Sequence, residues 1–216
     1  MIITIDGPAA SGKSTVAKSL AKKLGFYYLY TGLLYRSVGY VLAEKRDVLP
    51  DEFSKLTAED LKFIDQIKYV YEDGKPKIIF EGEDITSKLK DSSVDKLSSL
   101  IGANKYVRQA LLPTQRDVAK SYDIIADGRD CGSVVFPNAD YKFFLTASIE
   151  ERAKRKSKMG GMTQKEAEEF LRERDERDKN RDVAPLVVPE DAVIIDNSNL
   201  DIEQTLHPFL KYIKIG

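Results

Sequence analysis

Cysteine and histidine each occur once in the 216 residues, as Cys131 and His207. A single cysteine excludes an intrachain disulfide and any multi-cysteine zinc site. The lone histidine precedes Pro208 near the C-terminus, a surface or packing position that earns no ligand role. No apolar run approaches the ~20 residues of a membrane-spanning helix. Neither sign of charge prevails: 34 Lys and Arg stand against 35 Asp and Glu, a net charge of −1. That balance speaks against a nucleic-acid-binding module or a protein drawn to an acidic membrane. Internal repeats and low-complexity runs are lacking too. With an apolar β-type run at its very start, the chain is expected to be a soluble cytoplasmic protein without a signal peptide. Its length suits one large domain, or a core with small insertions.

What the chain does have begins at residue 7. Gly7-Pro8-Ala9-Ala10-Ser11-Gly12-Lys13-Ser14 matches G-x-x-x-x-G-K-[ST], and Thr15 follows. The run Met1-Ile2-Ile3-Thr4-Ile5 before it reads as a strand. After it, Val16, Ala17, Leu20 and Leu24 keep helical spacing up to Gly25, a helix-ending glycine. Strand, loop and helix are the context a phosphate-binding loop requires. Gly7 and Gly12 let backbone N–H groups curl around phosphate oxygens, and the helix N-terminus adds its positive dipole end. In such a loop Lys13 reaches the β- and γ-phosphates of ATP, and the Ser14 hydroxyl ligates Mg²⁺.

Apolar β-rich runs at 1–5, 26–30, 122–127, 142–147 and 192–196 alternate with helical patterns. The expectation is an α/β fold, a five-stranded doubly wound parallel sheet with the phosphate loop. Ligands in such folds lie at the C-terminal ends of the strands, where Asp6, Thr31, Asp127 and Asp196 fall. Two segments break the alternation. In 68–86, Asp73-Gly74 between two β-type runs predicts a small β-hairpin insertion. The densely charged 150–182, with Gly160-Gly161 at its middle, has the form of a helical lid, expected to be open or poorly ordered without ligand and to close when both ligands bind.

Charges also stand where apolar residues belong. On the helix predicted over 163–181, the stripe Ala167, Phe170, Leu171 continues as Arg174, Asp178 and Arg181. An exposed helix would carry i,i+4 pairs such as Glu173 with Arg177, but a charged trio on the inward side points to a polar cleft wall. Asp127-Gly128-Arg129-Asp130 follows the apolar strand Ile124-Ile125-Ala126. A strand-end acid beside a phosphate loop suits the Mg²⁺ side, directly or through water, so Ser14 and Asp127 are the candidate metal residues. Arg129 can grip a phosphate bidentately, which leaves Asp130 to accept hydrogen bonds from a ligand. Arg36 and Arg108 add to an excess of arginine over what one nucleotide's phosphates need, which suggests two bound phosphate groups.

These stretches resemble the bacterial cytidylate (CMP) kinases, of the P-loop nucleoside monophosphate kinase fold. The resemblance rests on Ile5-Asp6-Gly7-Pro8, Ser11-Gly12-Lys13-Ser14-Thr15, Thr31-Gly32-Leu33-Leu34-Tyr35-Arg36, Asp127-Gly128-Arg129-Asp130 through Val134-Val135-Phe136-Pro137, and Arg174 to Arg181 with Ala184-Pro185-Leu186. It implies phosphoryl transfer from ATP, with Mg²⁺, to CMP or dCMP. It implies that residues 7–15 with Arg152 and Arg155 bind ATP, and that Lys13, Arg129 and Arg155 act on the transferring group. Arg36, Arg129 and Arg181 would hold the acceptor's phosphate, and Arg174 and Asp178 its sugar. Ser99, Arg108 and Asp130 would read cytosine, with Thr31 and Asp127 close by. Tyr30, where the family usually has Asp, Cys131 in place of an aliphatic residue, and Ser133 in place of Thr depart from the family pattern.

The resemblance divides the chain into a core (1–62, 92–149, 183–216), a monophosphate-binding insertion (63–91) and the lid (150–182), in a single kinase domain expected to be monomeric. Cytosine offers an N4 donor with N3 and O2 acceptors. One acid and one arginine match that set, and uracil reverses it at positions 3 and 4. Other readings are a P-loop kinase for UMP or a non-nucleotide acceptor, and a GTPase-like switch. A switch would carry Asn-Lys-x-Asp, whereas Asn104-Lys105 is followed by Tyr106-Val107.

Overall fold

A computed structural model describes residues 1–214, so Ile215 and Gly216, at the end of the third core segment, lie outside the described residues. Five strands form one sheet: β1 (Ile2–Asp6), β2 (Tyr27–Tyr30), β6 (Ile124–Gly128), β7 (Tyr141–Thr146) and β8 (Val193–Asp196). All its pairings are parallel, in the order β2-β6-β1-β7-β8. A parallel sheet is covered on both faces, which is why its central strands are nearly continuous apolar runs. Ile3, Ile5, Ile124 and Ile125 are fully buried. The five apolar runs of the sequence are these five strands, displaced by no more than two residues.

Helix α1 (Lys13–Leu24) follows β1, and Val16, Ala17, Leu20 and Ala21 bury its inner face. Helix α2 (Thr31–Tyr40) begins where β2 ends. Helices α3 (Ser92–Ile101) and α4 (Lys105–Ser121) lead to β6. Asn104 caps α4, accepting from the N–H groups of Tyr106 and Val107, and its amide holds the carbonyls of Phe53 and Leu56. The chain ends on α7 (Ile202–Tyr212), whose Phe209 packs on Phe143 with ring centroids 4.6 Å apart.

The insertion is a three-stranded antiparallel meander, β3 (Ile67–Glu72), β4 (Lys75–Phe80) and β5 (Glu83–Asp84), rather than a plain hairpin. The turn at Asp73-Gly74 lies where expected. The third strand is two acidic residues held by register against Ile79 and Phe80, so no apolar alternation marks it. The meander shares one apolar cluster with α2 and α4: Ile78 and Phe80 pack with Leu34, Val38 and Leu111. Tyr69 ties it to the edge of the main sheet, where its hydroxyl accepts from Tyr30 N–H and donates to the Tyr28 carbonyl, both at 2.9 Å.

Helices α5 (Ile149–Lys158) and α6 (Gln164–Asn180) form the charged hairpin. Gly160 and Gly161 turn it at φ of 92° and 84°. Thr163 and Glu166 close a reciprocal capping box at the start of α6. Ala153, Ala167 and Leu171 pack onto Ala9 of the phosphate loop, so the hairpin is anchored at its base.

Candidate active site

The loop between β1 and α1 is shaped by its glycines. At Gly7, with φ of 147°, a Cβ would lie 2.0 Å from the Leu145 carbonyl oxygen. Gly12 has φ of 94° and is the residue from which α1 starts. Ala10 takes φ of 58° without being glycine, so the loop as a whole curls. Asn197, just past β8, clips the loop from outside by donating from Nδ2 to the Ser11 carbonyl at 3.0 Å. The Lys13 ammonium donates to the Pro8 carbonyl at 2.6 Å and to Ser11 Oγ at 3.3 Å. Burial, and then the charge of Arg129, push its pKa well below the ordinary lysine value. A phosphate group would relieve that strain on the charged form.

At the end of β6, Asp127 collects hydroxyls. Ser14 Oγ donates to its Oδ2 at 2.7 Å and the Tyr28 hydroxyl to its Oδ1 at 3.0 Å. Burial raises the Asp127 carboxyl, opposed by the Ser14 bond, the Lys13 charge and the Tyr28 bond. Thr31 Oγ1 donates to the Asp127 carbonyl at 2.7 Å. One carboxylate and one hydroxyl at the mouth of a phosphate loop are hard oxygen donors of the type Mg²⁺ takes, with phosphates and waters completing its shell.

Beyond Asp127, the backbone turns under Asp6. This buried acid at the end of β1 accepts the N–H groups of Cys131 at 2.8 Å and Gly132 at 2.7 Å. The turn places Arg129 and Asp130 into the cleft. Arg129 Nε donates to Asp178 Oδ2 at 2.9 Å. Asp130 pairs with Arg108 of α4 through one oxygen and lies 3.4 Å from Arg181 Nη2 through the other. Arg108 also donates to the Gly102 carbonyl at 2.9 Å, and its guanidinium lies 5.2 Å from the centroid of Tyr35. Burial works against the charge of Asp178, but Arg129, Arg174 and Arg181 outweigh it and hold its carboxyl below the ordinary value.

Many of these groups surround one cavity of about 480 Å³. Its wall includes Ala9, Ala10, Gly12 to Thr15 and Arg155 from the phosphate side. From the other side come Thr31, Arg36, Ser99, Arg108, Asp127, Arg129, Asp130, Arg174, Asp178 and Arg181. The inward-facing charged trio of α6 is therefore a cleft wall, as its spacing predicts. Arg181 is not on the helix, however: it is the residue after it, extended at φ −70° and ψ 141°, which turns its guanidinium toward Asp130.

Other expected residues stand elsewhere. Gly7, Pro8 and Ser11 shape the loop from behind, outside the cavity lining. Arg152 is also outside it: its guanidinium donates to Asp175 Oδ2 at 2.7 Å and to the carbonyls of Ala147 and Ala9. It ties α5 to α6 and to the phosphate loop. Arg155, one turn on, lies at the cavity and donates to Ser11 O, Asn197 Oδ1 and Asn197 O. Ser98 and Ser99 both line the cavity, and Ser99 Oγ accepts from Arg177 Nη1 at 2.7 Å, so Arg177 faces inward and does not pair with Glu173. Asp196 is exposed and caps its own turn through Ser198. Asp95, Tyr28 and Asn197 carry no signal in the sequence, and Asp175 is singled out by nothing within its stretch. Each is one polar residue in an otherwise ordinary element, and its partners come from distant parts of the chain.

A parallel sheet carrying a phosphate loop, with a second cationic pocket facing that loop across one cleft, defines a P-loop kinase. The cytidylate kinase family model matches residues 3–215. The chain is 41% identical over 218 residues to a cytidylate kinase of Thermodesulfovibrio yellowstonii, covering 98% of this chain and 97% of that protein. It is 44% identical to one of Thermotoga petrophila, covering 98% and 96%. With cytidylate kinase 1 of Haemophilus influenzae it shares 40%, covering 99% and 94%. The chain belongs to the cytidylate kinase family. A solved structure of an uncharacterized protein from Eubacterium ventriosum shares the fold, with a TM-score of 0.53 at 15% identity, covering 99% of this chain and 98% of that one.

Proposed function

We propose that the protein transfers the γ-phosphoryl group of ATP to CMP or dCMP, giving ADP and CDP or dCDP. The observation that carries this reading is the Arg108–Asp130 pair. Its side chains are each 7% exposed and line the same cavity as the phosphate loop. Membership in the cytidylate kinase family supports it.

Residues 7–15 cradle the ATP phosphates. Lys13, free of its Pro8 partner, follows the charge of the transferring group, and Arg155 reaches it from the lid. Ser14 and Asp127 would hold Mg²⁺, which would supply neutralisation of phosphate charge during transfer. Arg36, Arg129 and Arg181 hold the acceptor's phosphate, so its oxygen faces the γ-phosphorus in line. Arg174 and Asp178 take the sugar hydroxyls. Arg108, Asp130 and Ser99 meet the base, where Asp130 accepts from N4 and Arg108 donates to N3 and O2. Thr31, bonded to the Asp127 carbonyl, fixes the floor under both. No covalent intermediate is needed: positioning and a dense set of cations supply the acceleration. The lid keeps water from competing as acceptor.

In this reading the core, the insertion (63–91) and the lid (150–182) are parts of one catalytic domain that acts as a monomer on small-molecule substrates. Among the described residues no helix is long and apolar enough to cross a membrane. An ATP-dependent assay with CMP, dCMP, UMP, AMP and GMP, with product identification, tests the function. CDP and dCDP as the dominant products are expected, and a preference for any of the other three acceptors would refute it.

A further inference from the structure

Asp95 lies on α3, outside every motif of the sequence, yet three cations from three helices meet on its carboxylate. Arg36 of α2 donates to Oδ1, Lys156 of α5 to Oδ2 at 2.8 Å, and Arg174 of α6 stands 3.5 Å from Oδ1. All four residues line the cavity, and their side chains are only 13–15% exposed. Burial disfavours the charge of Asp95, but Arg174, Arg36 and Lys156 outweigh it and hold its carboxyl at about 2. It is therefore an anion at neutral pH. Arg36 is spoken for at its other arm as well, where Nη1 donates to the Leu89 carbonyl at 2.9 Å. Arg174 Nε is buried with no partner, a donor left over in the cleft wall.

Two of these cations, Arg36 and Arg174, are the groups given above to the phosphate and the sugar of the acceptor. The third belongs to the lid. A carboxylate seated among them competes with an incoming phosphate for the same guanidinium, and in a partly buried site that competition is stronger than in water. We propose that Asp95 is a further affinity- and specificity-setting residue of the acceptor site. It is an internal counter-anion that bridges α2 to both lid helices across the cleft and yields Arg36 to the phosphate of the monophosphate substrate. The inference rests on the reading that this end of the cavity takes the acceptor's phosphate. Its consequence is selection for a phosphate-bearing acceptor: a nucleoside brings no anion to replace Asp95, and the bridge stays closed against it.

Asp95→Asn keeps the size and removes the charge. Calorimetric CMP binding and hydrogen exchange of the ligand-free full-length protein read the two halves of the proposal. CMP is expected to bind roughly fivefold or more tightly, a normal coupling factor, with ATP affinity little changed. Exchange protection of α5 and α6 is expected to fall in the ligand-free variant. Asp95→Glu, which restores the charge, should return CMP affinity toward the wild type, and a thermal melt of each variant controls for folding. Weaker or unchanged CMP binding by a folded Asp95→Asn would overturn the proposal, as would unaltered lid protection. A wild-type protein that binds no CMP would instead overturn the functional reading. The exchange experiment needs no ligand and judges the bridge in either case.

Discussion

Lys13 is a buried ammonium with two neutral partners, Pro8 O and Ser11 Oγ, and its environment favours loss of its charge until an anion arrives. Its position has little to do with holding the core together. Lys13→Ala should therefore remove phosphoryl transfer, by at least about a hundredfold for one preorganised charge in a closed site, while the melting curve stays in place. Turnover near the wild-type rate with an unchanged melt would sink the phosphate role. Asp178 differs: it is held by Arg129 at 2.9 Å and lies near Arg181, between the expected phosphate and sugar. Asp178→Ala should weaken both CMP and dCMP and narrow the gap between them by about 1–3 kcal/mol, the cost of a buried polar group left unpaired. The preference for cytosine over uracil should survive. Steady-state kinetics on the three nucleotides would show a collapsed base preference if Asp178 instead touched the base.

At the scale of elements, the turn after β6 is a small device that aims Arg129 and Asp130. Its backbone is gripped by Asp6, whose own carboxyl is pushed up to about 6 by burial, against the pull of the Gly132 and Cys131 N–H groups. A carboxyl with a raised pKa in the folded protein favours folding when protonated. Its contribution is fully present below the ordinary value near 4 and is lost as pH rises through about 6. The stability difference between the wild type and Asp6→Asn should therefore move toward the wild type on acidification across that window. Chemical denaturation at several pH values measures it, and a pH-independent difference would contradict the account. The sequence makes the strands around this turn plain, because two-sided burial leaves continuous apolar runs. It also makes α6 plain, because charges at 174 and 178 continue its apolar stripe. It hides Asp95, which at the start of amphipathic α3 reads as an ordinary solvated first-turn acid. It hides the division of labour between Arg152 and Arg155 as well, since three residues on a helix change the partner from the cleft to Asp175. The third meander strand is equally silent, being held by register alone.

For the whole molecule, the fold places the phosphate loop and a second cationic group of residues around one cavity, with a buried acid–arginine pair in its wall. In the proposed reading, the loop and the cationic group explain why a phosphoryl group moves, and the pair explains to whom. Much of the first was legible, because a phosphate loop is contiguous in sequence. The second had to be assembled from α4, β6 and the residue after α6, and was approached only through the family resemblance. The central claim is that Arg108 and Asp130 choose cytosine. The most direct measurement is the ratio of kcat/KM for CMP to that for UMP, in the wild type and in Asp130→Ala. Each bidentate base contact is worth roughly 1–3 kcal/mol. The wild type should thus favour CMP by at least about tenfold, and Asp130→Ala should lose most of that ratio with the KM for ATP little changed. Equal use of CMP and UMP by the wild type, or a ratio untouched by the substitution, would contradict it.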